Sequence, residues 1–171
     1  MNQRITNLRT KMKAQDLKAV LINNLKNVYY LTGFWGSNGT VLVTEERVVL
    51  FTDSRYTIHA HATCFPFVEI VETRNELEEA AKIVKDAAIH ELGFEDEITV
   101  AYQTRLATAF SGVSLRALSD FVMEFRLIKD ETEVATIRKA CSISDQAFLD
   151  VLEFIKVGQT TELEAATFLD F

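Results

Sequence analysis

Short apolar runs rich in β-branched residues alternate with helical stripes along this chain, and that alternation limits the fold more than any other feature. Lys18–Asn23 is a short apolar run and reads as a buried strand. Thr40–Val43 and Arg47–Phe51 flank Glu45-Glu46, which predicts a hairpin, although Glu-Glu lacks the usual turn chemistry. Phe67–Val71 alternates as a strand, and Leu92–Glu95, Thr99–Ala101 and Leu115–Ala117 are shorter strand candidates. Helices fall between them. Ile5, Leu8 and Met12 form a first stripe ending near Gln15-Asp16. Asn24 opens a short helix through Tyr30, with Gly33 where a left-handed cap belongs. A helix from Asn75 to Glu91 carries Leu77, Ala80, Ala81, Val84, Ala87 and Ala88 on one face. Others are predicted from Asp53 to about Thr63, from about Gln103 to Phe110, and around Phe121. Strands alternating with helices predict an α/β fold, a mixed sheet with flanking helices.

From Asp130 the pattern changes. Asp130 with Glu133 three residues on is an acidic variant of the helix capping box. Val134, Ile137, Cys141, Ser144, Phe148, Val151 and Ile155 then step by three and four, one face of a long helix ending at Gly158. Thr161 with Glu164 forms a second capping box, opening a helix that runs to Phe171. The division implied is one domain over residues 1–129 and linking helices over 130–171, the start of a further, truncated domain. The long helix has a stripe to bury and little of its own domain to bury it against; exposed stripes of that kind mark a partner. The chain stops inside a helix without a cap or polar tail, as expected of a piece of a longer protein.

A length of 171 residues supports one domain with a real core, burying roughly 70% of its unfolded surface. Acidic residues outnumber basic ones by 25 to 18, a net charge of −7, which argues against nucleic-acid and anionic-membrane partners. No stretch approaches the roughly 20 apolar residues of a membrane span. Met1–Arg4 runs straight into the first amphipathic stripe with no signal-peptide core, so a cytoplasmic location is expected. Cys64 and Cys141 match no ligand or disulfide spacing and are expected to be reduced thiols acting as small apolar side chains.

Few constellations carry chemistry. Gly33–Gly39 is glycine-rich, but it lies between a helix and a strand, the reverse of a phosphate-cradling loop, and its spacing is wrong. It reads as a mobile loop whose glycines supply unusual backbone angles. His59, His61 and Cys64 suggest a metal. On a helix, however, His59 and His61 point about 200° apart, and on a strand a third ligand is lacking. They are read as surface or partly buried histidines. Ser37 is outside G-x-S-x-G and has no histidine near it in sequence. Asp53, Arg55 and Tyr56 are the most suggestive polar cluster; the structural reading is that Asp53 caps the helix it precedes while Arg55 makes an ion pair.

Three segments in a fixed order go further. They are Asn27–Phe34 (Asn-Val-Tyr-Tyr-Leu-Thr-Gly-Phe), Thr52–Tyr56 (Thr-Asp-Ser-Arg-Tyr), and Arg126–Asp130 leading into Glu133, Ile137, Arg138 and Ala140. At these separations the chain resembles the amino-terminal half of the creatinase/prolidase family of metallopeptidases, above all Xaa-Pro dipeptidases (prolidases) and aminopeptidase P. The resemblance runs from about Arg4 to the last residue. It implies that Tyr30, Gly33, Asp53, Arg55, Tyr56, Arg126, Lys129 and Glu133 are structural marks of the domain. It also implies that the loop after Leu-Thr-Gly-Phe lies at a dimer interface and reaches the neighbouring subunit's active site. Phe34, Trp35, Ser37 and Asn38 would then face a partner or its substrate; for Trp35 a plain packing role is the alternative.

The family cleaves the bond before proline with two divalent ions, held by two aspartates, a histidine and two glutamates of the carboxy-terminal domain. Manganese, cobalt or zinc would serve. Nothing in this chain matches those motifs, so no catalytic or metal-binding residue is expected here, and Asp145, Asp150 and Glu153 receive no such role. The expected function is a non-catalytic domain for dimerisation and active-site access in a metal-dependent Xaa-Pro dipeptidase. It would work beside its own catalytic domain, as a homodimer, on a proline-containing dipeptide or peptide. The alternatives are the amino-terminal domain of an aminopeptidase P and a stand-alone binding module.

Overall fold

Three strands are buried along their whole length because both of their faces are covered. They are β1 (Ala19–Ile22), β2 (Thr40–Thr44) and β3 (Val48–Thr52), and every residue in them is buried. Successive side chains of a strand point to opposite faces. Val20, Ile22, Val41, Val43, Val48 and Leu50 therefore join one core, while Ala19, Leu21, Leu42, Val49 and Phe51 join a second. Three further strands, β4 (Glu69–Glu72), β5 (Glu91–Glu95) and β6 (Ser114–Leu118), complete a sheet of order β4-β3-β2-β1-β5-β6. Only β2 runs against its neighbours; the other pairs are parallel. The predicted mixed sheet is thus present. Its hairpin closes without the usual turn residues because Thr44 Oγ1 accepts the Arg47 amide at 2.9 Å.

This computed structural model describes residues 2–154 and Gly158. The chain divides into two units, one spanning Met1–Leu127 and a second beginning at Ile128. In the first, helices α1 (Gln3–Ala14), α2 (Leu25–Thr32) and α3 (Thr57–Thr63) cover one face of the sheet, joined by Phe121 and Val122. Helices α4 (Glu76–Asp86) and α5 (Val100–Ala109) cover the other through Leu77, Ala80, Val84 and Leu106. A short α6 (Met123–Leu127) ends the unit.

Four local expectations are corrected. Helix α4 stops at Asp86 rather than Glu91, leaving Ala87 and Ala88 exposed; Ala88 takes a positive φ of 50° so that the chain can reverse into β5. Thr99–Ala101 is not a strand. Thr99 Oγ1 accepts the Tyr102 amide at 3.2 Å and caps α5, so a β-branched pair that resembled a strand is a helix start. Helix α3 begins at Thr57, not Asp53. Cys141 is exposed rather than packed; Cys64 is half-buried, and burial pushes its thiol up to about 11.

The second unit contains α7 (Glu131–Phe154). Its capping box closes as predicted: the Asp130 amide donates to Glu133 Oε2 at 2.9 Å and the Glu133 amide to Asp130 Oδ1 at 2.8 Å. Ile137 and Phe148 of the predicted stripe are exposed, Phe148 at 63%, and so are Ile143, Leu149 and Leu152. Ile155, the Thr161–Glu164 box and the helix it opens lie outside the described residues. Among the described residues no helix is long and apolar enough to cross a membrane.

Candidate functional site

Strand direction brings the candidate residues to one edge. The loop before β2 and the turn after β3 meet at the carboxyl end of β3, the edge where β1 and β5 also end. The loop starts from a firm base. Asn24 Oδ1 caps α2 by accepting the Lys26 amide, and Gly33 ends it at a φ of 79°, where a Cβ would lie 2.8 Å from the Thr63 carbonyl oxygen. Phe34 then turns inward. It is only 1% exposed, and its ring stands edge-on to Tyr56 with centroids 5.9 Å apart. A Cβ on Gly36 would sit 2.6 Å from Phe34 Cζ, and one on Gly39 2.8 Å from Cε1. These two glycines are there to admit the Phe34 ring and not, as expected, to supply unusual backbone angles.

Phe34 is therefore a core anchor of its own unit, which corrects its expected place facing a partner. Trp35 differs. It is 66% exposed, resting edge-on against His59 at 4.6 Å. His59 lies half-buried in α3, with its Nε2 buried and, among the described residues, without a hydrogen-bond partner; His61 is exposed.

The tip of the loop is tied to the turn after β3. Asp53 is buried, and its Oδ1 accepts the Arg55 amide at 3.0 Å and Arg55 Nε at 2.9 Å. Its Oδ2 accepts Arg55 Nη2 at 2.8 Å and Asn38 Nδ2 at 2.6 Å. The Arg55 guanidinium, followed by the Asn38 amide, holds the Asp53 carboxyl well below the usual carboxylate range. Ser37 Oγ and the Tyr56 hydroxyl share a hydrogen bond of 2.6 Å, which lowers the Tyr56 pKa, and Thr52 Oγ1 donates to the Asn38 carbonyl at 2.7 Å. The ion pair with Arg55 is present as expected, but Asp53 closes a turn and does not cap α3, whose N-cap Tyr56 makes no side-chain capping bond. The loop is thus secured at base and tip, where a mobile one was expected.

A second polar cluster went unread in the sequence. Glu95, at the end of β5, is buried and accepts the Asn23 amide at 2.8 Å, the Asn24 amide at 2.7 Å and the Asn27 side-chain amide. Burial is the largest influence on it and raises its pKa. Arg126 Nη1 donates to Asn27 Oδ1 at 3.0 Å, and Tyr30 is covered by the Arg4 guanidinium at 4.3 Å from its ring centre. Asn24, Asn27, Glu95 and Arg126 line a cleft of about 30 Å³, room for roughly two waters. An acidic residue closing an apolar strand run was the available signal. Of the other marked residues, Lys129 is exposed and Glu133 belongs to the α7 capping box.

Ser37 is paired with Tyr56 and not with a histidine. Among the described residues no three His, Cys, Asp or Glu side chains converge on a point that a metal could occupy.

Comparison with known proteins places this geometry. The creatinase/prolidase N-terminal domain model matches residues 4–128. An uncharacterised peptidase of Bacillus subtilis is 31% identical over 98% of this chain and 48% of its own length. The solved Xaa-Pro dipeptidase of Bacillus anthracis superposes with a TM-score of 0.85 at 29% identity, over 97% of this chain and 47% of that one. A solved Xaa-Pro aminopeptidase chain from Streptococcus pyogenes reaches 40% identity and a TM-score of 0.69, over 71% of this chain and 94% of that one. The chain spans about half the length of the curated relatives it matches. With the sheet, the Gly33 cap and the Asp53 turn all in place, this chain belongs to the creatinase/prolidase amino-terminal domain family.

Proposed function

We propose that this chain is the amino-terminal, non-catalytic half of a metal-dependent Xaa-Pro dipeptidase, serving dimerisation and access to the active site. Trp35, beside Ser37 and Asn38, faces the neighbouring subunit of a homodimer. The catalytic half on the same polypeptide carries two divalent ions, manganese, cobalt or zinc, and cleaves the bond before proline. A net charge of −7 fits a cytoplasmic role without nucleic-acid or membrane partners. The observation that carries this reading is a large indole displayed at 66% exposure on a loop whose neighbours are all secured. Loops so built carry function more often than fold.

Assay of the purified chain on Xaa-Pro dipeptides with added manganese or cobalt should give no turnover. Metal-dependent turnover that survives a control for host prolidase contradicts the reading. In the longer enzyme, Trp35→Ala should change KM or substrate preference while the first unit stays folded. The 40% identity to the streptococcal aminopeptidase favours one alternative, an aminopeptidase P half. A preference of the longer enzyme for peptides over dipeptides would select it.

A further inference from the structure

We propose that the Asp53–Arg55–Tyr56 turn is a latch that fixes the loop carrying Trp35, making Asp53, Tyr56, Ser37 and Asn38 positioning residues for the indole. This holds whatever Trp35 touches in a larger assembly, so it stands apart from the access role.

Four observations meet here. The tip, Ser37 and Asn38, is exposed and has no apolar side chain with which to hold itself down. Both of its side chains instead bond to the turn, Ser37 to Tyr56 and Asn38 to Asp53, each at 2.6 Å across 19 and 15 residues of sequence. Three of the four hydrogen bonds on the Asp53 carboxylate come from Arg55, whose own side chain is 68% exposed. Arg55 therefore orients and charges the carboxylate, leaving one lone pair aimed at Asn38, and a charged acceptor makes that bond stronger than a neutral one. Tyr56 also packs against Phe34, so the same turn braces the base of the loop and clips its tip. Trp35 sits between these two fixed points, with His59 as its aromatic neighbour.

Trp35 is the only tryptophan in the chain, so its fluorescence reports on this loop alone. Decay of its anisotropy separates nanosecond loop motion from tumbling of the whole chain. The variants Tyr56→Phe, which keeps the ring against Phe34, Ser37→Ala and Asn38→Ala should each leave circular dichroism and melting nearly unchanged. Each should roughly double the amplitude of the fast local component, and Asn38→Ala/Tyr56→Phe should raise it further. Because Ser37→Ala and Tyr56→Phe remove the same bond, combining them should add nothing to either alone. Unchanged fast amplitude in the folded Asn38→Ala/Tyr56→Phe double variant overturns the proposal. Additive effects of Ser37→Ala and Tyr56→Phe overturn the part assigned to their bond. Should Asn38→Ala fail to fold, Asn38 is a packing residue and the latch as stated is wrong.

Discussion

Strand β3, a continuous apolar run, and helix α7, which carries an apolar stripe, end in opposite surroundings. Val48, Val49, Leu50 and Phe51 are buried on both faces, met from one side by α1–α3 and from the other by α4 and α5. Ile137, Ile143, Phe148 and Leu149 stand exposed on α7. A strand in the middle of the sheet finds its covers in the helices of its own unit, whereas a helix stripe needs a second surface to bury it. The same contrast recurs at shorter range in the loop: Phe34 is spent on its own core, and Trp35 next to it is displayed.

The sharpest way to break this comparison is the adjacent pair. Phe34→Ala should lower the stability of the first unit by about 3–5 kcal/mol, as for a buried aromatic, and Trp35→Ala by no more than about 0.5 kcal/mol, as for a surface side chain. Denaturant titration followed by circular dichroism measures both; similar losses would mean that the loop has no inward and outward halves. A second pair tests strand against helix. Leu50→Ala should cost about 2–5 kcal/mol, while Ile143→Ala should stay within about 0.5 kcal/mol.

The Glu95 cluster gives a smaller effect with a definite sign. Glu95→Gln leaves part of a three-donor pocket without its acceptor and should cost about 1–3 kcal/mol. Because burial raises the Glu95 pKa, the folded chain binds this proton more tightly than the unfolded one. Its stabilising contribution is complete at pH below the ordinary glutamate value and declines as pH rises through the raised one. The margin of the wild type over Glu95→Gln should therefore be widest in acid and narrow upward; a margin that grows with pH contradicts the assignment. Asp53 has the opposite sign: its contribution is present above the usual carboxylate range and is lost as pH falls below it. Smallest is Phe148→Asp on α7, which should move stability by no more than about 0.5 kcal/mol yet abolish any self-association made through the stripe. An unchanged oligomer in sedimentation would clear the stripe of that role.

Much of the fold was legible because short apolar runs and period-3.6 stripes survive wherever burial is complete. The central strands, the Asn24 and Gly33 caps of α2 and the Asp130–Glu133 box are examples. The errors fall where local chemistry competes with pattern. Thr99-Val100 is β-branched and still starts a helix, since a threonine hydroxyl at the N-cap outweighs a weak strand preference. Ala87 and Ala88 continue the spacing of α4 past its end because alanine fits helix and turn alike. At the candidate site the residue set was visible but its wiring was not. No local pattern tells that Asn38 reaches Asp53, that Gly36 and Gly39 make room for a ring, or that Glu95 closes over Asn27. Those contacts exist only once the strands have brought distant segments to one edge.

In the proposed longer enzyme the α7 stripe packs against the catalytic half, and Cys141 reports on that contact directly. Its thiol lies in the stripe and is exposed, whereas Cys64 is half-buried with its thiol pushed up to about 11, an internal control of low reactivity. Thiol labelling should be measured in this chain alone and in a longer polypeptide that carries the catalytic half. Fast labelling of Cys141 in the chain and strong protection in the longer protein, with Cys64 slow in both, is the predicted result. Equal labelling of Cys141 in the two would show that the stripe stays uncovered beside the catalytic half.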